Sequence, residues 1–320
     1  MVAVLPTHRR RGILTRMMAR QMEDCHELRE PLALLVSTEG LIYGRFGYGI
    51  GSQHEDWSIP TEYGQFAFDH EPPGSLRFID KAEARRVLPN LYKNEFLRRP
   101  GMVAYPASIW DIFIMESETG PRSIVEDVWV LYEESGQPLG YAKYKVKDGT
   151  LMVQELMATT RMAGASLWRL CLDHDLVSHV EAVRRPLDDP LPWILSEPRR
   201  LQRVVSDRMW LRLVDVQMAL SGRSYMSNGR ILLDVRDPFC HWNEGVYELE
   251  VGNEGTQCSR SDGKADMVLG AADLAAVYLG TVRFRTLLRA GRVDALRPGA
   301  LLVADAMFDT QFQPWSPYDL

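Results

Sequence analysis

Val2-Ala3-Val4-Leu5-Pro6-Thr7-His8-Arg9-Arg10-Arg11-Gly12-Ile13-Leu14 is the stretch on which the fold turns. Residues 2–5 read as the end of a buried strand, and Pro6–Gly12 as a tight turn. From Ile13 the apolar positions Ile13, Leu14, Met17, Met18 and Met22 fall at helical spacing. A strand that runs through an Arg-x-x-Gly turn into a helix can converge backbone N–H groups on a phosphate at the helix N-terminus. Gly12 lets the backbone approach closely, and the arginines bring charge. A bare RRRG is equally a solvated basic turn. The preceding V-x-V-x-P and the helix that follows decide for the phosphate site.

Working outward, Leu32–Ser37 (LALLVS) is an apolar run between Pro31 and Gly40, read as a buried parallel strand. Gly40–Gly51 is a glycine-punctuated short helix and loop. The whole is an α/β unit. A charged helical stretch occupies 80–99. Residues 128–132 and 140–146 read as a hairpin, 151–158 as a strand, 160–173 as a helix and 178–184 as a strand, which repeats the first unit with a hairpin in front. After Thr159 this second unit has no Arg-x-x-Gly turn, so it reads as a copy that binds no phosphate. From about Leu211 the segments VDVQMAL, GRILLDV and GVYELEV alternate as strands, and helical stretches follow at 271–279 and 281–290.

Composition narrows the class. The chain has 320 residues, 46% hydrophobic and 25% charged, with 43 acidic against 37 basic residues and a net charge of −6. That length implies two or three domains. The acidic balance speaks against nucleic acid or an anionic membrane as partner and suits a cationic substrate. Cys25, Cys171, Cys240 and Cys258 are scattered without a CxxC, so neither a zinc site nor a disulfide framework is expected. The seven histidines show no HxxxH or HxH spacing, and no metal is expected. No apolar run reaches membrane length, and HRRRG breaks any signal-peptide order, which implies a cytoplasmic protein.

With these residues in hand the chain resembles the GNAT acetyltransferases at their acetyl-CoA motif. Read on through Glu30-Pro31-Leu32-Ala33-Leu34 and Ser37-Thr38-Glu39-Gly40-Leu41-Ile42-Tyr43-Gly44-Arg45-Phe46-Gly47-Tyr48-Gly49, it is similar to the enhanced intracellular survival (Eis) family of N-acetyltransferases. The resemblance implies an α/β (α+β) fold: tandem GNAT domains, the first partial (1–58) and the second degenerate (59–208), then a sterol-carrier-protein-like α+β domain (209–320). It implies acetyl-CoA as co-substrate, with Val2 and Val4 along the pantetheine arm. Arg9, Arg10, Gly12, Ile13 and Leu14 would surround the pyrophosphate, and Thr38 would line the site where the family often has Ser. Tyr43 would protonate the departing thiolate: a phenol of ordinary pKa about 10 can donate to a thiolate of about 8.5 or higher. Without the resemblance Tyr43 reads as a packed helix residue, and Tyr48, its near competitor, as packing.

The family also implies that the C-terminal carboxylate, here of Leu320 in place of an aromatic residue, is the base for an amine substrate, with Asp319 a second negative charge beside it. Trp315 and Tyr318 argue for a docked tail rather than a frayed one. The acceptor would be aminoglycoside-like or lysine-type, and the assembly a homohexamer. Against the family pattern, roughly 80 residues of preceding strands and helices are missing, so the chain reads as N-terminally truncated by a misassigned start or as a relic. The alternative to an enzyme is a truncated non-catalytic assembly or lipid-binding protein.

Overall fold

The computed structural model describes residues 2–115 and 127–317, and the chain divides into two compact bodies. The first comprises residues 2–52 and 207–314, the second 53–206 and 315–317.

In the first body the helix that follows the arginine turn runs Ile13–Glu27. Its buried stripe is Met18 and Met22, an i, i+4 pair. These pack with Ala33, Phe46, Tyr48, Trp210 and Cys240 into one small core. The strand Leu32–Val36 is present, but it is antiparallel and half-exposed rather than parallel and buried. Its partner is Met209–Leu213, which also pairs with Gly49–Ile50. Residues 2–5 are not a strand. They have no regular structure, and Val2 and Leu5 stand 45% and 69% exposed. A strand exists only through a hydrogen-bonded neighbour, and none pairs with them among the described residues.

The remainder of this body is a five-stranded sheet in the order Gly255–Arg260, Gly245–Gly252, Gly229–Arg236, Met267–Gly270, Val293–Ala295. Helices Ala271–Tyr278 and Ala300–Phe308 bury Leu274, Val277, Ala304 and Met307 in the core that it forms with Ile231, Leu233 and Leu249. VDVQMAL is a correction: Val216–Ser221 is a helix. The alternating valines and leucine suggest a strand, but the Asp215 side chain caps a helix by accepting from Met218 N–H at 2.8 Å. Val216, Ala219 and Leu220 are then buried at helical spacing, and Met218 faces out. Beneath this region Arg212 and Asp237, both fully buried, pair at 2.5 Å.

The second body is a seven-stranded sheet in the order Ser75–Ile79, Val128–Glu134, Gln137–Lys147, Thr150–Ala158, His179–Arg185, Gln53–Pro60, Gln202–Asp207. The helix Arg161–Leu172 lays Leu167, Trp168 and Cys171 against its face. Helices Lys81–Phe96 and Ala107–Met115 belong to the same body, Leu88, Leu91, Tyr92 and Trp110 sharing a core with Leu131 and Tyr141. Thr150–Ala158 and His179–Arg185 are parallel neighbours, paired only from Thr150/His179 to Val153/Ala182. Beyond that point the two strands part.

Candidate active site

The arginine turn is built by two left-handed residues. Arg10 has φ 62° and Gly12 has φ 70°. His8 N–H closes a short turn on Leu5 C=O at 2.8 Å, and the Arg9 Nε–H donates to Val4 C=O at 3.2 Å. Gly12 caps the helix without a side chain. The first intrahelical bond is Arg16 N–H to Gly12 C=O at 3.1 Å, so the N–H groups of Ile13, Leu14 and Thr15 precede it. A helix of 15 residues with no acid in its first turn presents these donors to an anion.

They face a cavity of about 600 Å³. Val2, Val4, Arg9, Arg10, Gly12, Ile13, Leu14 and Tyr43 all line it, with Ala3, His8, Thr15, Glu39, Ile42 and Arg45. Thr38 does not: it is exposed at the bend between Leu32–Val36 and Gly40–Tyr43. Asp319 and Leu320 lie outside the described residues, as does Tyr318.

Tyr43 is the last residue of the helix Gly40–Tyr43 and is half-buried in the cavity wall. Tyr48 is 1% exposed, meets the Tyr43 ring edge-on at 5.9 Å, and has its hydroxyl pushed well above the ordinary phenol range by burial. Glu39, unnoticed in the sequence, stands on the cavity wall one helical turn before Tyr43. The i, i+4 spacing to Tyr43 is the signal that could have found it. Ser37 Oγ holds the bend by accepting from Glu39 N–H at 3.0 Å.

The corresponding place in the second body is differently filled. The helix Arg161–Leu172 starts at once after the strand, its N–H of Ala163 taken by Thr160 Oγ1 at 3.2 Å. Where the two parallel strands part, the buried Arg185 bonds Leu156 C=O at 2.9 Å and Asp189 at 2.5 Å.

Comparison with known proteins finds three family matches along the chain. Residues 1–51 and 101–213 each match a family described as acetyltransferase (GNAT) domain, and residues 216–317 match the sterol carrier protein domain. An uncharacterized N-acetyltransferase of Streptomyces avermitilis is 38% identical over 99% of this chain and 80% of its own length. The N-acetyltransferase Eis of Mycobacterium tuberculosis is 31% identical over 96% of this chain and 76% of its own. The crystal structure of Eis1 from Mycobacterium abscessus is similar with a TM-score of 0.86 at 32% identity, over all of this chain and 81% of that one. No helix among the described residues is long and apolar enough to cross a membrane. The chain belongs to the Eis-like family of GNAT N-acetyltransferases, with a C-terminal sterol-carrier-protein-like domain.

Proposed function

We propose that the cavity beside the arginine turn binds acetyl-CoA and that the protein transfers the acetyl group directly to an amine, aminoglycoside-like or lysine-type. One observation supports this above the rest: a single cavity gathers Val2, Val4, Arg9, Arg10, Gly12, Ile13, Leu14 and Tyr43. The uncapped N–H groups and two guanidinium groups fit a diphosphate, and Val2 and Val4 offer backbone to the pantetheine arm. The open, arginine-lined cavity supports an enzyme over an assembly or lipid-binding role.

Acetyl-CoA supplies a thioester that is already activated, so no acyl-enzyme is needed. The Leu320 carboxylate takes a proton from the substrate ammonium, and the freed amine forms the C–N bond as the C–S bond breaks. Tyr43 O–H donates its proton to the departing sulfur and regains one from the cationic nitrogen of the new amide, and the Leu320 carboxyl releases its proton to solvent. Asp319 and Glu39 add negative charge for a cationic amine. Thr38 stands near the strand end that leads into the site. The three-domain division at 58/59 and 208/209, a homohexameric assembly and a cytoplasmic setting belong to this reading too.

The test is thiol release from acetyl-CoA with a panel of aminoglycosides and lysine-type amines. One residue added after Leu320 displaces the carboxylate and should lower turnover by about 10²-fold or more, the usual scale of a positioned base. An unchanged rate in the extended chain would remove Leu320 from the mechanism.

A further inference from the structure

Within the first body the sterol-carrier-protein-like domain reaches under the turn that follows Tyr43. Its contact there is Asp237, which pairs with Arg212 of the strand Met209–Leu213 at 2.5 Å. Both side chains are fully buried. Asp237 is held in turn. Its Oδ1 accepts from Cys240 N–H at 3.0 Å, and its Oδ2 from the Asn243 side-chain amide at 3.0 Å. Asn243 is itself fixed, donating to Val214 C=O at 3.1 Å and accepting from Val216 N–H at 3.1 Å. The guanidinium of Arg212 therefore has one imposed place.

Gly47 rests on that guanidinium. A Cβ at Gly47 would stand 2.3 Å from Arg212 Nη1, 2.6 Å from Cζ and 3.0 Å from Nε. Gly47 also has φ 81°, so both the close approach and the backbone conformation demand glycine. Nε and Nη1, the two nitrogens that Gly47 meets, have no oxygen or nitrogen partner among the described residues. A buried cation with donors left unused is a poor source of stability, because an apolar pair of similar volume commonly serves as well or better. What it supplies is a fixed surface for the backbone above it.

The turn on this surface is tied to Tyr43 at short range. Gly47 N–H donates to Gly44 C=O at 3.0 Å, and Tyr48 N–H donates to Tyr43 C=O at 3.3 Å. Phe46 packs on Phe239, two residues after Asp237, with ring centroids 5.0 Å apart. Contacts thus run without a break from Asp237 to the cavity wall, where Tyr43 stands beside Ile42 and Arg45. We infer that Arg212, set in place by Asp237, is a positioning residue for Tyr43, and that the sterol-carrier-protein-like domain serves the acetyl transfer by bracing its acid. This positioning role rests on the proposed role of Tyr43.

Arg212→Met/Asp237→Asn removes both buried charges together and keeps an acceptor for Cys240 N–H. The melting temperature should stay close to that of the unaltered protein. The kcat should fall about 10- to 10²-fold, since a displacement on the order of 1 Å at a reacting group costs up to about 10²-fold. The KM for acetyl-CoA should stay within about twofold, because the arginine turn is untouched. Arg212→Lys keeps the charge but offers Gly47 no planar surface, and its kcat should lie between the two.

A second measurement follows Tyr43 without turnover. In protein labelled with meta-fluorotyrosine, the fluorine resonance missing from Tyr43→Phe belongs to Tyr43, and it should shift or split in the double variant. Should that variant fail to fold, Arg212→Lys carries both measurements. An unmoved resonance in the folded variants, a normal kcat, or a rise in KM that accounts for the loss would each overturn the positioning role. If Tyr43→Phe itself turns over normally, the acid reading falls and the role of Arg212 with it.

Discussion

Tyr43→Phe should reduce turnover about 10²–10⁴-fold and leave CoA affinity within about twofold, the range of a lost general acid. The substitution keeps the ring, its seat at the end of Gly40–Tyr43 and its edge-on contact with Tyr48 at 5.9 Å. Only the hydroxyl on the cavity wall goes, so a ground-state effect on cofactor binding is not expected. Steady-state thiol release against amine concentration measures the loss, and calorimetry with CoA measures binding. Tyr48→Phe is the control. Its hydroxyl is buried outside the cavity lining, so turnover should hardly change. Equal losses in both variants would mean that the pair acts through packing, and Tyr43 would lose its assignment.

Gly49→Ala should abolish the fold of the body formed by residues 2–52 and 207–314. A Cβ at Gly49 would stand 2.0 Å from the Ala272 carbonyl oxygen and 2.8 Å from the Ala276 nitrogen. Both are backbone atoms of the helix Ala271–Tyr278, so no side chain can swing aside. The strand would have to leave the helix and open the core around Leu211 and Leu274. Such a cost exceeds ~4 kcal/mol, a large share of the 5–15 kcal/mol that holds a typical domain. Thermal unfolding and soluble yield read it out. Gly44→Ala, which meets nothing within 4 Å, should melt as the unaltered protein does. A native melting temperature for Gly49→Ala would contradict the close approach of strand and helix.

The legible parts of this protein were those whose signal is local. The turn at Arg9–Gly12 and the helix after it are written in one consecutive stretch, because a left-handed glycine and a 3.6-residue period need no distant partner. The hairpin Val128–Glu134 and Gln137–Lys147 was legible for the same reason. What was missed depends on distant chain. Leu32–Val36 pairs antiparallel with Met209–Leu213, and nothing within a strand announces a partner so remote. Val2–Leu5 has strand composition but no neighbour among the described residues. At 214–220 alternation and a helix cap compete, and the Asp215 cap wins. Of the residues named for the site, eight line the cavity, Thr38 stands apart, and Glu39 was overlooked in favour of the residue beside it. The seat of Trp315 depends on Arg99, Pro100, Arg184 and Arg185, which are far apart in sequence and meet only in the folded body.

The central claim is that the arginine-glycine turn grips the diphosphate of CoA. Calorimetric titration of CoA into the unaltered chain and into Arg9→Gln/Arg10→Gln tests it most directly. Each lost charge-assisted contact is worth about 1.5–3 kcal/mol, so the double variant should bind about 10²-fold more weakly or worse. Equal affinity in the two proteins, or no heat of CoA binding in the unaltered chain, would contradict the account.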